Sequence, residues 1–368
     1  MDRTLRCRLL FDGVTMRHNV AVRVVGGTVA SVEELHGEAE LALVAPGLVD
    51  LQMNGFDDVD VAVAAPDDLA RLDEHLLGAG TTHWLGTIVT APLDRLTRVI
   101  AGLDEACRDG AAPGMVGIHI EGPFLGRAPG AHRVRDIVPA DADWLAALPP
   151  SVRLVTLAPE QNGAIAAVEQ LRSAGVVASL GHSRPDRDEY SAAVEAGASM
   201  VTHLFNGMSG VHHREGGLAL WALTDPRVIA GLIADGVHVA PDAVRLAFLV
   251  DGGRRICLVS DSVAHRSDGA LARGVTVEDG APRLPDGTIA GSVTPLSSCV
   301  RRAVRDAGVE LTSALRSATS VPAGLLGRPD LGSVRVGEVA HLGIWDDDLR
   351  VVETVRGLQS ARARLPHT

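Results

Sequence analysis

The chain has 368 residues, with 34 basic and 46 acidic side chains and a formal net charge of −12. This acidic balance argues against a nucleic acid or an anionic membrane as partner, because no overall basic field attracts phosphates. All 34 basic residues are arginine, which excludes mechanisms that need a Schiff-base, P-loop or carboxylated lysine. Hydrophobic residues make up 46% of the chain, enough for a large core.

The cysteines are scattered and show no Cys-x-x-Cys spacing (Cys7, Cys107, Cys257 and Cys299). This pattern predicts free thiols in a reducing compartment rather than a disulfide framework or a zinc knuckle. The first residues contain no long apolar segment, and no apolar stretch approaches membrane length. We therefore expect a soluble, cytoplasmic protein.

In chain order, residues 1–45 predict short strands, with a hairpin whose turn is Gly26-Gly27. From Ala45 onward, strand patterns alternate with amphipathic helical stretches such as Asp67–Ala79 and Arg187–Ala196. Eight successive strand–helix units favour a closed (β/α)8 TIM barrel over an open doubly wound sheet. The eight predicted strands are Leu48–Asn54, Thr82–Val89, Val116–Pro123, Val152–Glu160, Val176–Ser183, Ser199–Asn206, Val228–Val239 and Arg255–Ser262.

Beyond the eighth strand, Gly269–Ile289 predicts an inserted hairpin with Asp286-Gly287 at its turn. Strands at both ends of the chain predict that the termini pair into a small β-sandwich domain. The expected domains are residues 1–45 and 329–368 for the sandwich and 46–328 for the barrel. The segments expected after the hairpin are two helices (Ser292–Ala307, Thr312–Ser317) and three strands (Gly332–Val334, Val339–Trp345, Val351–Val355).

Three predicted strands end on side chains that bind metals: Glu121, His182 and His203. One carboxylate and two imidazoles at the mouth of a barrel match a catalytic metal site that keeps a position open for water. The ligand types suit Zn²⁺ or another borderline divalent ion. His119 points the same way as Glu121 but lies deeper, and it is either a support for the ligands or a packed core histidine.

The first strand carries Gln52 and Asn54, at positions where many barrel metallohydrolases have two histidines. Amide side chains are poor metal ligands, so this pair predicts one divalent metal ion per subunit. The eighth strand ends at Asp261, which can take a proton from an attacking water and return it to a leaving amine. The alternative for Asp261 is a helix cap.

Loops near the predicted mouth carry further polar residues. His132, in a Gly-Ala-His loop, could polarise an amide carbonyl. The basic loop around Arg214 suits an anionic group, because arginine matches phosphate with two parallel hydrogen bonds. The alternative is a plain solvated loop. His238 ends the seventh strand, where barrels often bind phosphate.

These segments resemble the N-acetylglucosamine-6-phosphate deacetylases of the amidohydrolase superfamily, in both order and spacing. The resemblance runs from about Pro46 to Ala340 and covers nearly the whole chain. Its motifs are PGLVDLQMNG, HIEGPF, GAH, GHS, THLFNGMS, HHREGG, ADGVHV, LVSDS and IAGS.

The resemblance implies a homodimer that hydrolyses the acetamide of N-acetylglucosamine 6-phosphate. It implies Glu121, His182 and His203 as ligands of a divalent metal, with Zn²⁺ the expected ion. Asp261 would act as base and then acid, and His132 would polarise the carbonyl. The sugar phosphate would be held by Asn206, the Gly207 backbone and His238, together with Arg214 of the neighbouring subunit.

Three segments depart from the usual pattern of this family. Gly55-Phe56-Asp57-Asp58 adds two carboxylates near the mouth, and Arg214-Glu215-Gly216-Gly217 replaces the usual REPG. The segment after Asp261 is more polar than usual and contains His265. Deacetylation of the galactosamine epimer or of an unphosphorylated sugar is therefore an open alternative. A silent sugar-phosphate sensor is another, although a sensor has no need of the proton shuttle Asp261.

Overall fold

The computed structural model describes residues 2–363 of the chain. Its strands fall into two large sheets and two short hairpins. In chain order they are β1 (Arg3–Phe11), β2 (Met16–Val25), β3 (Thr28–Glu34), β4 (Leu41–Pro46), β5 (Leu48–Met53), β6 (Gly55–Phe56), β7 (Val59–Asp60), β8 (Thr81–Val89), β9 (Met115–Glu121), β10 (Val152–Leu157), β11 (Val177–Leu180), β12 (Met200–Val201), β13 (Ile229–Leu232), β14 (Ile256–Leu258), β15 (Thr276–Glu278), β16 (Ala281–Arg283), β17 (His341–Trp345), β18 (Val351–Arg356) and β19 (Gln359–Arg362).

The eight strands β5 and β8–β14 form a parallel barrel in sequence order, which confirms the predicted TIM barrel. The first and last strands meet at their C-terminal ends, where Asp261 N donates to Gln52 O at 3.0 Å. Each barrel strand is buried at every residue or at all but one, so their sequences read as nearly continuous apolar runs. The predicted strand starts lie within two residues of the observed ones, but most of the strands end sooner than predicted.

Helices cover the outside of the barrel, and α5 begins and ends at its predicted residues. Its start is fixed by a capping box, in which Asp186 accepts from Glu189 N at 2.8 Å and Glu189 accepts from Asp186 N at 2.7 Å. The helices are α1 (Pro66–Gly78), α2 (Leu93–Asp109), α3 (Ala142–Ala146), α4 (Ala164–Ser173), α5 (Arg187–Ala196), α6 (Leu218–Thr224), α7 (Pro241–Leu249), α8 (Asp268–Ala272), α9 (Leu296–Arg305), α10 (Leu311–Ser317) and α11 (Ser320–Leu325), with 3₁₀ turns at Val134–Asp136 and Pro329–Gly332.

The two termini form one seven-stranded sheet in the order β19-β18-β17-β4-β1-β2-β3. The sheet bends back on itself: Val29 N donates to Glu338 O at 2.9 Å, and Ala340 N donates to Gly27 O at 2.8 Å. The curled sheet encloses its own apolar core, which includes Val22 and Leu342. The predicted pairing of the termini is confirmed, while the residue limits of the domains (1–45, 46–328 and 329–368) stay a prediction.

The inserted segment departs from its prediction. The hairpin β15–β16 turns at Asp279-Gly280, and α8 precedes it. Asp286-Gly287 lies in a second turn, in which Leu284 N donates to Thr288 O at 2.9 Å. Both dipeptides are of the Asp-Gly type that favours tight turns, so the sequence signal could not choose between them.

The tail also differs from its prediction. No strand forms at Gly332–Val334; instead Val334 N donates to Asp12 O at 3.0 Å, and the Val334 side chain is buried in the sheet's core. Strand β19 was not predicted, and three of its four residues are exposed, so it lacks an apolar pattern.

Candidate metal and active site

The residues predicted to carry chemistry lie at the C-terminal mouth of the barrel. Glu121 is the last residue of β9, and His182, His203 and Asp261 follow β11, β12 and β14 by two or three residues. The φ angles of His182, His203 and Asp261 are 51°, 32° and 49°, in the left-handed region that non-glycine residues rarely adopt. Backbone strain of this kind concentrates at functional sites, because the surrounding structure must hold it in place.

Glu121, His182 and His203 converge on one point. The Nε2 atoms of the two histidines are 3.0 Å apart, and they lie 3.1 and 3.0 Å from Glu121 Oε1. All three side chains are buried. Burial alone would raise the pKa of Glu121, but the close contacts with the two imidazole rings hold that pKa well below its usual range.

The outer ring nitrogens fix the tautomers of both histidines. His182 Nδ1 donates to Ala128 O at 3.2 Å, and His203 Nδ1 donates to Asn206 O at 3.1 Å. In the neutral rings the Nε2 atoms therefore carry lone pairs that face each other and a carboxylate oxygen. A cation between these three atoms would be bound by all of them, and two imidazoles with one carboxylate suit a divalent transition metal such as Zn²⁺.

His132 belongs to the same cluster. Glu121, His132 and His182 each place one donor atom within 4.8 Å of the other two, and His132 Nε2 lies 3.1 Å from His182 Nε2. Burial lowers the pKa of His132 to about 3, and its Nδ1 is buried without a hydrogen-bond partner. A neutral histidine here can serve as a further metal ligand or as a contact to substrate.

Gln52 and Asn54 occupy the space beside the cluster and hold Asp261. Gln52 Nε2 donates to Asp261 Oδ1 at 3.0 Å and to Glu121 Oε1 at 3.2 Å, and Asn54 Nδ2 donates to Asp261 Oδ1 at 2.9 Å. Burial and the charge of Glu121 raise the pKa of Asp261 to about 7. The Gln52 amide thus bridges the two carboxylates at the mouth of the barrel, and Asn54 holds one of them, Asp261.

The cluster opens into a cavity of about 560 Å³. Of the residues predicted for sugar-phosphate binding, Asn206, Gly207 and His238 line this cavity. A Cβ on Gly207 would meet His182 Nδ1 at 2.9 Å, so glycine is required there. Arg214 is exposed and does not line the cavity of its own chain.

Of the titratable residues His265, Asp57 and Asp58 in the departing segments, the structure brings only His265 to the cavity. Asp57 instead lies within 3.2 Å of Arg266 Nη1, and Asp58 pairs with Arg71.

Sequence reasoning missed Asp235, which supports His238. Asp235 Oδ2 accepts from His238 Nδ1 at 2.7 Å, and its Oδ1 accepts from His238 N at 2.9 Å. Burial would raise the pKa of Asp235, but the bond with His238 lowers it to about 2. The signal was available as an Asp–His pair three residues apart at the end of a strand.

Comparisons with known proteins agree with this geometry. The amidohydrolase family pattern matches residues 43–364. The chain is 34% identical to N-acetylgalactosamine-6-phosphate deacetylase of Escherichia coli O157:H7, over 95% of this chain and 97% of that protein. It is 33% identical to N-acetylglucosamine-6-phosphate deacetylase of Bos taurus, over 95% of this chain and 92% of that protein.

A mutant N-acetyl-D-glucosamine-6-phosphate deacetylase of Mycobacterium smegmatis, solved in complex with N-acetyl-D-glucosamine 6-phosphate, superimposes with a TM-score of 0.89. The two are 31% identical, and the match covers 98% of this chain and 99% of that one. Among residues 2–363, no helix is long and apolar enough to cross a membrane. The chain belongs to the amidohydrolase family, and the predicted resemblance to its N-acetylglucosamine-6-phosphate deacetylases is confirmed.

Proposed function

We propose that the chain hydrolyses the acetamide of N-acetyl-D-glucosamine 6-phosphate, giving D-glucosamine 6-phosphate and acetate. The observation that carries the proposal is the buried convergence of Glu121, His182 and His203 beside Asp261, in a chain similar over 95% of its length to amino-sugar phosphate deacetylases. When bound at this cluster, one divalent metal ion, with Zn²⁺ our proposal, lowers the pKa of water and polarises a carbonyl.

Asp261 moves the protons in this proposal. Its Oδ1 is occupied by the two amide donors of Gln52 and Asn54. Its second oxygen is left to take a proton from the attacking water and to pass it to the leaving amine nitrogen. The neutral His132 holds the amide carbonyl by a hydrogen bond and stabilises the charge that develops on its oxygen.

The phosphate of the substrate lies, in this proposal, against Asn206, the Gly207 backbone and His238. Asp235 holds the His238 ring through Nδ1, which leaves Nε2 to face the phosphate of the substrate. Arg214 completes the site from the other subunit of a homodimer, since it lies outside its own cavity. The free state of Cys7, Cys107, Cys257 and Cys299 supports the proposed cytoplasmic location.

The galactosamine epimer is the second candidate substrate, because a relative at 34% identity is named N-acetylgalactosamine-6-phosphate deacetylase. The test is a panel of acetylated sugars of both epimers, with and without the 6-phosphate, incubated with metal-loaded protein. Acetate release should be at least roughly tenfold faster, in kcat/KM, for the 6-phosphates. Absence of acetate release from every member of the panel would reject the deacetylase proposal and favour a sensor.

A further inference from the structure

The cavity has a second side, across the metal cluster from the proposed phosphate contacts. Asn206, Gly207 and His238 follow β12 and β13, the sixth and seventh barrel strands. The opposite wall follows β8 and β9, the second and third strands, which lie four positions away in a ring of eight. Its floor is apolar and is lined by Ile88, Val89, Pro92, Leu96 and Val99.

Four arginines line this side of the cavity and form an arginine wall: Arg95 in the first turn of α2, Arg133 and Arg135 shortly after His132, and Arg273, which follows the eighth strand and α8 and reaches across to Ala131. Two carboxylates, Asp60 and Asp136, lie among them, so the wall carries a net positive charge in an acidic protein. Within residues 2–363, neither Arg95 nor Arg133 has a carboxylate oxygen within 4.0 Å.

Arg273 connects the segment after the eighth strand to the loop that carries His132. Its Nη2 donates to Ala131 O at 2.8 Å, beside His132, and it is only partly exposed. Burial and the nearby Arg133 charge lower the pKa of Arg273, while Asp60 opposes the shift. Asp60 is itself mostly enclosed, and its Oδ1 accepts from Ala62 N at 2.9 Å. The four arginines on this side of the cavity are therefore only partly neutralised by Asp60 and Asp136.

The substrate's scissile bond must lie at the metal cluster, between the two sides. If the amine half, with its phosphate, extends to Asn206 and His238, the acyl half extends the other way. It then runs over the apolar floor toward the arginine wall. A methyl group leaves the arginines without a partner, whereas an acyl chain with a terminal carboxylate satisfies both surfaces.

We propose that this enzyme also hydrolyses amino-sugar phosphates whose N-acyl group is a short chain ending in a carboxylate, such as succinyl. The inference rests on the proposed deacetylase function and deepens it by naming the acyl class. Water adds to the amide carbonyl and the C–N bond breaks. The nitrogen leaves as the protonated amine of the sugar phosphate, and the acyl half leaves as a dicarboxylate.

The test compares three substrates on metal-loaded protein: the N-acetyl, N-succinyl and N-succinamoyl forms of glucosamine 6-phosphate. The last two have the same length, and only the succinyl form carries the terminal charge. We expect kcat/KM for succinyl to exceed that for succinamoyl by roughly ten- to hundredfold, the effect of a charge-assisted hydrogen bond. Arg95→Ala and Arg133→Ala should each reduce this ratio by about tenfold.

Arg98→Ala is the matched control, since Arg98 lies on the same helix, pairs with Asp94 and does not line the cavity. It should leave the ratio unchanged. Acetyl hydrolysis without preference for succinyl over succinamoyl would overturn this inference and leave the deacetylase function standing. An equal effect of Arg98→Ala would also overturn it, by showing a general charge effect. Failure to hydrolyse any of the three would overturn both proposals.

Discussion

At the scale of single residues, the site depends on two neighbouring carboxylates, Glu121 and Asp261, whose pKa values are shifted in opposite directions. Glu121 and Asp261 are both buried and share the amide of Gln52. Their environments differ, because Glu121 faces two imidazoles while Asp261 faces amides and the Glu121 charge. The imidazole contacts hold the pKa of Glu121 down, whereas burial and the Glu121 charge raise that of Asp261, which separates a ligand from a proton carrier.

Replacement of Asp261 by asparagine should lower turnover by roughly 10²–10⁴-fold, the usual contribution of a general acid–base group. Metal content should stay near that of the parent protein, because Glu121, His182 and His203 are unchanged. Steady-state kinetics and elemental analysis on the same sample check both expectations. A variant with near-normal turnover would reduce Asp261 to a structural role.

The stability of the same variant gives a second check. An acid whose pKa is raised on folding makes the free energy of unfolding fall as pH rises from its unfolded value near 4 to its folded value of about 7. Asp261→Asn removes this loss, so the metal-free variant should melt at a higher temperature than the parent at pH 8. The difference should shrink as the pH is lowered toward 5, and thermal melts across this range measure it.

The sequence alone could predict Glu121, His182, His203 and Asp261, because strand ends of a barrel meet at one mouth. It could not predict the hydrogen bonds that Gln52 and Asn54 donate to the carboxylates, because these side chains come from strands far apart in the chain. Nor could it predict the contact of His132 with His182, since the conformation of the loop after β9 is set by tertiary contacts such as Arg273 with Ala131.

The amides of Gln52 and Asn54 explain why one metal ion is expected for each chain, because they occupy the space beside the cluster with hydrogen-bond donors. Gln52→His and Asn54→His together would replace two hydrogen-bond donors by two metal ligands beside Glu121 and Asp261. We expect tightly bound zinc to rise from about one to about two ions per chain, because carboxylates and imidazoles then surround a second position. Elemental analysis after dialysis measures it, and two ions in the unmodified protein would contradict the prediction.

At the scale of strands, a belt of hydrogen bonds ties the barrel together one layer below the ligands. Thr87 on β8 is 3.3 Å from His119 Nδ1 on β9, and Thr156 on β10 is 2.8 Å from His119 Nε2. Thr156 bonds to Thr202 at 2.7 Å, and Thr202 bonds to Ser179 on β11 at 2.6 Å. The belt therefore reaches the residue that precedes His203.

His119 is the centre of this belt, two residues before Glu121. Burial lowers its pKa to about 4, so it is neutral and links two hydroxyl groups. His119→Ala should weaken metal binding by roughly 10- to 100-fold, the usual effect of removing a group that orients a ligand. Competition with a chelator measures the affinity of the purified protein.

The control for this prediction is His83→Ala. His83 is also a buried histidine on a barrel strand, but it contacts Thr82 and His341, away from the cluster. Both variants should lose stability, and only His119→Ala should lose metal affinity. Equal affinities in the two variants would make His119 an ordinary core histidine.

At the scale of the whole molecule, a buried ion pair joins the terminal sheet to the barrel. Arg356 on β18 donates to Asp73 on α1 at 2.9 Å, and both side chains are almost fully buried. Asp73 also accepts from Trp84 Nε1 at 2.9 Å and from Gly114 N at 3.1 Å. The sequence pattern predicted that the termini pair, but not this contact, because neither residue lies in a recognisable motif.

Arg356→Met should destabilise the protein by about 3–5 kcal/mol, because it leaves the Asp73 carboxylate buried without a cationic partner. Arg328→Met is the control: Arg328 pairs with Asp330 at a half-exposed site, where a salt bridge contributes about 1 kcal/mol or less. Denaturant unfolding followed by fluorescence gives both values. Similar losses in the free energy of unfolding of the two variants would show that the buried pair between the sheet and the barrel stabilises the protein no more than a half-exposed pair does.

The proposed homodimer makes a prediction about the phosphate site. Arg214 lies outside its own cavity, so its action on substrate requires a second subunit. Arg214→Ala should raise KM for the 6-phosphate substrate by roughly ten- to hundredfold and leave the unphosphorylated sugar nearly unaffected, since that sugar never uses the contact.

Mixing Arg214→Ala chains with Asp261→Asn chains tests whether the arginine acts in trans. In a heterodimer, one site combines the intact Asp261 of the first chain with the intact Arg214 of the second. Random exchange places half of the dimers in this state, so about one quarter of all sites should recover activity in an isologous dimer. Assays at low substrate concentration, after subunit exchange is verified by mass, measure the recovery. Exchange without recovery would place Arg214 in its own subunit's pocket, and the phosphate would then be held within one chain.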